Sequence, residues 1–103
     1  MRFLARATMP VDAGNALVRN PKFGKTIQSV LADLKPEATY YCVENGQRTI
    51  YLVLNVSDPQ EIPGIVEPLW LTMKADVELI PAMNQAEFSK AMPSIEAAVK
   101  KYE

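Results

Sequence analysis

Histidine is absent from the 103 residues. That absence removes the commonest general base, the commonest metal ligand, and every Ser-His or Cys-His nucleophilic pair. A single cysteine, Cys42, excludes an internal disulfide and fits a reducing compartment. Neither sign of charge dominates: eleven Lys and Arg face twelve Asp and Glu, for a formal net charge of −1. Such a balance gives no broad attraction to nucleic acid or to anionic membrane. No apolar run approaches the ~18 uninterrupted residues of a spanning helix. The first ten residues are broken by Arg6 and lack the apolar core of a secretory signal. The C-terminal Lys100-Lys101-Tyr102-Glu103 offers no cysteine for prenylation. A cytoplasmic protein, with neither membrane nor nucleic acid as partner, is the expectation.

What is present suffices for a core. Hydrophobic residues make up 49% of the chain and charged ones 22%, and a chain of this size buries roughly 60–70% of its extended surface. One domain spanning residues 1–103 is expected. Residues 2–9 alternate as a strand, with Phe3, Ala5, Ala7 and Met9 opposed to Leu4, Arg6 and Thr8. A helical region follows in two pieces. Asp12 is placed to cap the first, Asn20-Pro21 interrupts, and Phe23, Ile27, Val30, Leu31 and Leu34 form the stripe of the second, which Lys35-Pro36 ends. Residues 38–44 read as a strand, Asn45-Gly46 as a hairpin turn, and residues 48–56 as the answering strand. Asp58 and Glu61 stand at capping-box spacing before a helix whose stripe is Ile62, Ile65, Val66, Leu69 and Met73, with Pro63 and Pro68 in its course. A fourth strand spans residues 76–82. Asn84 and Glu87 repeat the capping box before a final helix with Phe88, Ala91 or Met92, Ile95, Val99 and Tyr102 in its stripe, bent near Pro93.

The order β-α-β-β-α-β plus a terminal helix predicts an α+β, ferredoxin-like fold. Right-handed crossovers place its strands 4-1-3-2 in one antiparallel sheet, with both crossover helices on the same side.

Several runs resemble an uncharacterised family of small bacterial proteins: Val11-Asp12-Ala13-Gly14-Asn15-Ala16, Gly24-Lys25-Thr26-Ile27-Gln28-Ser29, Leu34-Lys35-Pro36-Glu37-Ala38, Gly46-Gln47-Arg48-Thr49, and Ile62-Pro63-Gly64-Ile65-Val66-Glu67-Pro68-Leu69-Trp70. The resemblance spans residue 2 to about residue 92. It implies a ferredoxin-like fold paired as a dimeric α+β barrel, with two sheets face to face, and it implies no activity. The wider superfamily includes cofactor-free monooxygenases, muconolactone-type isomerases, haem enzymes and ligand-sensing domains. The haem branch uses a proximal histidine, which this chain lacks.

The sheet face turned away from the helices carries the candidate site. Arg6, Tyr40, Tyr51, Asn55 and Glu78 are expected to line a cavity closed by a second copy of the chain. In one account Arg6 and Glu78 form an ion pair that fixes the register of a homodimer. In another, Arg6 holds a carboxylate or enolate, the tyrosines donate hydrogen bonds to an oxygen, and Glu78 shuttles a proton. Three readings follow: a homodimer that binds an aromatic or acidic small molecule without chemistry, a cofactor-independent isomerase or monooxygenase, and a structural or partner-binding protein with a filled inner face. No cofactor and no metal is expected, since Asp58/Glu61 and Glu37/Glu44 are explained by capping and solvent exposure.

Other features carry less. Gly24-Lys25-Thr26 resembles the tail of a phosphate-binding loop, but Arg19 stands where the first glycine belongs. Arg19, Lys22 and Lys25 read as a solvated basic turn. Cys42 is expected to be a buried structural thiol, and Trp70 either covers one end of a barrel or simply packs.

Overall fold

The computed structural model describes residues 1–103. Strand β1 spans Arg2–Met9, helix α1 Val11–Arg19, helix α2 Phe23–Leu34, strand β2 Ala38–Glu44 and strand β3 Gln47–Asn55. A 3₁₀ turn at Pro59–Glu61 leads into helix α3, Ile62–Met73, followed by strand β4, Asp76–Pro81, and helix α4, Gln85–Tyr102. The four strands form one antiparallel sheet in the order β2-β3-β1-β4, which reads 4-1-3-2 from the β4 edge. The fold is α+β.

Local chemistry sets the boundaries. The pyrrolidine ring of Pro21 forces Asn20 out of the helical region, to φ −76° and ψ 119°, and so separates α1 from α2. Asn20 Oδ1 then accepts a hydrogen bond from the Lys22 amide at 3.0 Å. Pro10, not Asp12, occupies the cap of α1. Its fixed φ and missing N–H suit that position, and Asp12 sits inside the first turn, accepting from the Ala13 amide. Asn45 and Gly46 both have positive φ, 52° and 74°. This mirror-image turn matches the twist of the flanking strands, and glycine adopts it without steric cost. It pairs Glu44 with Gln47, one residue earlier than the expected start of the strand. The capping box of α4 is formed: Asn84 Oδ1 accepts from the Glu87 amide at 2.8 Å, and Glu87 Oε1 accepts from the Asn84 amide at 2.9 Å.

The core lies between the sheet and α2 and α3. Ala5, Ala7 and Met9 of β1 and Ile50, Leu52 and Leu54 of β3 point towards Val30 of α2 and towards Ile65, Leu69 and Met73 of α3. Alanine at two central positions of β1 lets the helices approach the sheet closely. The helix layer does not reach β2. Its side chains Tyr40, Tyr41, Cys42 and Val43 are exposed. Cys42 lies on the opposite, open face and is a free thiol, exposed in the single chain rather than buried. The residues around it supply apolar character but no covering layer. Trp70 is half-exposed on α3. Helix α4 contributes no buried residue, so its apolar stripe has no counterpart in its own chain. No helix is long and apolar enough to cross a membrane.

Candidate functional site

Antiparallel pairing aligns one residue from each strand across the open face. Tyr40 of β2 pairs with Tyr51 of β3, Tyr51 with Arg6 of β1, and Arg6 with Glu78 of β4. Cross-strand neighbours of this kind have Cβ atoms about 4.5–5.5 Å apart, within reach of long side chains. On one side of this row lie Ala38, Val53, Leu4 and Ile80, an apolar band. On the other lie Cys42, Thr49, Thr8 and Asp76. Thr49 is fully buried on this face, and its hydroxyl donates to the Gln47 carbonyl at 3.1 Å. The polar row thus divides the open face into an apolar band and a band of smaller, more polar side chains.

Arg6 is the hub. Its Nη2 lies 2.7 Å from Glu78 Oε1 and its Nη1 lies 3.2 Å from Glu44 Oε1. The Tyr51 hydroxyl donates to the same Glu44 carboxylate, 2.9 Å from Oε1 and closer still to Oε2. Arg6, Thr8, Glu44, Gln47, Asp76 and Glu78 line a concavity of about 270 Å³ with no hydrophobic residue in its wall. The Arg6 and Glu44 side chains retain 28% and 31% of their exposure, whereas Glu78 retains 59%. One cation thus faces three carboxylates, so the depression as a whole is acidic.

The electrostatics follow from these contacts. The hydrogen bond with the Tyr51 phenol and the charge of Glu78 hold the Arg6 guanidinium even more firmly protonated than usual. Tyr51 is pushed above the ordinary phenol value of 10.0, chiefly because its proton is donated to Glu44. Burial adds to this shift and Arg6 opposes it. A folded-state pKa above the unfolded one means that folding favours the protonated phenol. That contribution to stability is complete below pH 10.0 and is lost as the pH rises through the higher folded value. Subtracting the ultraviolet titration of Tyr51→Phe from that of the parent protein isolates this phenol. Its midpoint is expected above 10.0 and is expected to fall towards 10.0 in Glu44→Gln. A midpoint unmoved by Glu44→Gln would show that the carboxylate does not hold the proton.

Of the five residues singled out from the sequence, Arg6, Tyr51 and Glu78 come together in this cluster. Tyr40 lies in the same row, but its side chain is 63% exposed. Asn55 does not join them. It lies at the other end of β3, opposite Arg2, where its Oδ1 accepts from the N-terminal amine at 2.9 Å. Glu44, assigned above to solvent, proves to be the acceptor that links Arg6 to Tyr51. Strand alternation already placed it on the face of Tyr40 and Cys42, and the two-residue turn at Asn45-Gly46 set it beside β3. Lys22 and Lys25 line a groove between α2 and α3 with Thr26, Ser29 and Thr72, and Arg19 lies outside that groove. No group of three or more Asp, Glu, Cys or His side chains is arranged to hold a metal ion.

No family model and no curated protein matches the chain.

Proposed function

We propose that two copies of the chain pair through their open sheet faces and hold a small organic molecule between them. The observation that carries this reading is the Arg6–Glu44–Glu78 cluster in a concavity of about 270 Å³ on the one face the helices leave bare. That volume approaches the ~300 Å³ at which ligand pockets begin, and a facing copy would enlarge and close it. Sheets packed face to face stand about 10 Å apart, which leaves room for a flat molecule wherever the side chains are short, as along Thr8 and Cys42.

The charge pattern narrows the ligand. Both terminal nitrogens of Arg6 are taken by carboxylates, so an acidic ligand would have to displace Glu44 or Glu78 before it could be held. A neutral hydroxylated group or a cation meets no such cost. Tyr51, Glu44 and Glu78 are placed to hydrogen-bond such a group, while Leu4, Val53 and Ile80 offer an apolar bed for a ring. An aromatic molecule bearing hydroxyl or amino groups suits this surface better than an acid. Proton shuttling by Glu78, as an isomerase or monooxygenase would need, requires that carboxylate to leave Arg6. Binding without turnover asks for no such rearrangement.

Native mass spectrometry of the protein purified from its own host tests this reading. A dimer carrying the added mass of a small molecule is expected, with the added mass lost and the dimer kept in Glu44→Ala/Glu78→Ala. A monomer, or a dimer at bare mass from every preparation, would overturn it.

A further inference from the structure

Helix α4 stands off from the body of the molecule. It is tied only at its root, where the Ala82 amide donates to the Arg2 carbonyl at 3.1 Å and Arg2 pairs with Glu87. Eighteen residues of helix extend about 27 Å, close to the ~26 Å of an eight-residue strand. The molecule measures 58 Å along its longest axis but only 28 and 21 Å along the others. The helix carries Phe88, Met92, Ile95, Val99 and Tyr102, separated by 4, 3, 4 and 3 positions. That 3.5-residue repeat keeps one seam on one side of a helix and marks a surface built to meet another element. Its members remain exposed, from 39% at Met92 to 79% at Tyr102.

A receiving surface exists at the far end of the molecule. Met9, Val18, Phe23, Ile27, Tyr41 and Ile50 line an apolar groove of about 220 Å³, where α1 and α2 stop short of the edge strand β2. Val43, 78% exposed, continues the apolar surface along β2 on the same face. The groove lies on the helix-bearing face, near the Met9 end of β1. The root of α4 lies at the Arg2 end, beside a side chain of the open face. A helix of about 27 Å rooted there, in a molecule 58 Å long, extends away from the body and does not turn back to this groove.

We infer that α4 is an exchanged arm whose seam packs into the groove between α1, α2 and β2 of a second copy, each copy serving the other. Area favours a second copy over an unrelated partner. Five half-exposed side chains supply on the order of 400 Å² on the arm, about half the ~800 Å² per partner of a standard stable interface. Reciprocal exchange makes each chain contribute both an arm and a groove, which brings the area to that size. A two-fold arrangement of this kind also leaves neither surface unfilled. Arm and groove both lie off the open sheet face, so the inference stands apart from ligand binding there.

The test uses the full chain. Light scattering and native mass spectrometry compare the parent protein with Ile95→Glu/Val99→Glu at equal concentration. The parent is expected to be a dimer and the variant to dissociate at least a hundredfold more readily. Circular dichroism and the thermal transition check that the body stays folded, which the absence of any buried residue in α4 leads one to expect. A second measurement locates the arm. A Cys42→Ser/Ser94→Cys copy carrying a nitroxide is mixed with an unmodified ¹⁵N-labelled copy. Broadening of the Phe23, Ile27 and Tyr41 amides of the labelled copy supports the exchange. A monomeric parent, a dimer indifferent to the two glutamates, or broadening confined to Leu4, Tyr51 and Val53 would overturn it. A dimer that survives Ile95→Glu/Val99→Glu but is split by Val53→Glu would sink the arm and leave open-face pairing intact.

Discussion

Leu52→Ala is expected to lower the unfolding free energy by about 2–5 kcal/mol, the range for truncating a fully buried leucine. Leu52 has 0% exposure, lies between Ala5 of β1 and Thr39 of β2, and belongs to the core beneath α2 and α3. Hydrogen-bonded strands keep a spacing of about 4.8 Å, so the sheet cannot close over the cavity by drawing its strands together. Only the helix layer can settle, and Leu69 and Met73 of α3 are themselves fully packed there. A domain of this size is stable by about 5–15 kcal/mol in total, so the change consumes a large part of its margin. At about 4–8 °C per kcal/mol, the melting temperature should fall by at least about 8 °C. Urea denaturation with an unchanged slope would assign the effect to the native state. A loss under about 1 kcal/mol would mean that α2 and α3 sink into the gap, and that the core is looser than its burial indicates.

Ala7→Leu probes the same packing from the opposite direction. Ala7 is 1% exposed, between Ile50 and Val77 on neighbouring strands. Its methyl group is part of the floor on which the helices rest. Three added carbons have no space, so the helix layer must lift or neighbouring side chains must leave their rotamers, at about 1–3 kcal/mol. The control is one residue along the chain. Thr8 points to the open face, and Thr8→Leu in the monomer should change stability by less than about 0.5 kcal/mol, as surface substitutions do. Equilibrium denaturation of both variants provides the comparison. Equal effects at positions 7 and 8 would contradict the assignment of faces on β1.

These two experiments also measure how far the sequence alone could be trusted. Alternation along residues 2–9 and 48–56, together with the Asn45-Gly46 turn, was enough to say which side chains share a face and which strands are neighbours. Those features depend on a period of two and on a turn whose backbone twist suits only a tight hairpin. The meeting of Arg6 with Glu78 could be read the same way, since β1 and β4 are adjacent in the expected order. Asn55 shows where this reasoning stops. Parity put it on the right face, but it lies opposite Arg2, and its short side chain is taken by the N-terminal amine. Glu44 shows the converse error. A carboxylate beside a turn looks solvated in sequence, yet the long side chains of Tyr51 and Arg6 reach along the sheet to it, although the register pairs it with Gln47.

The sequence by itself determined the elements, the faces and the exclusion of histidine chemistry. These depend on residue identity and on spacings of a few positions. Only the tertiary structure decided what each face meets. Two crossover helices are too few to cover four strands, and so the helix-facing side of β2 is left bare, with Tyr41 and Val43 exposed. The path of α4 likewise turns on a single ion pair and one backbone hydrogen bond at its root. Its apolar stripe looks the same in sequence whether the helix lies on its own sheet or reaches away from it. Coverage is a property of how many layers a chain can place on a surface, and no local pattern of residues encodes that.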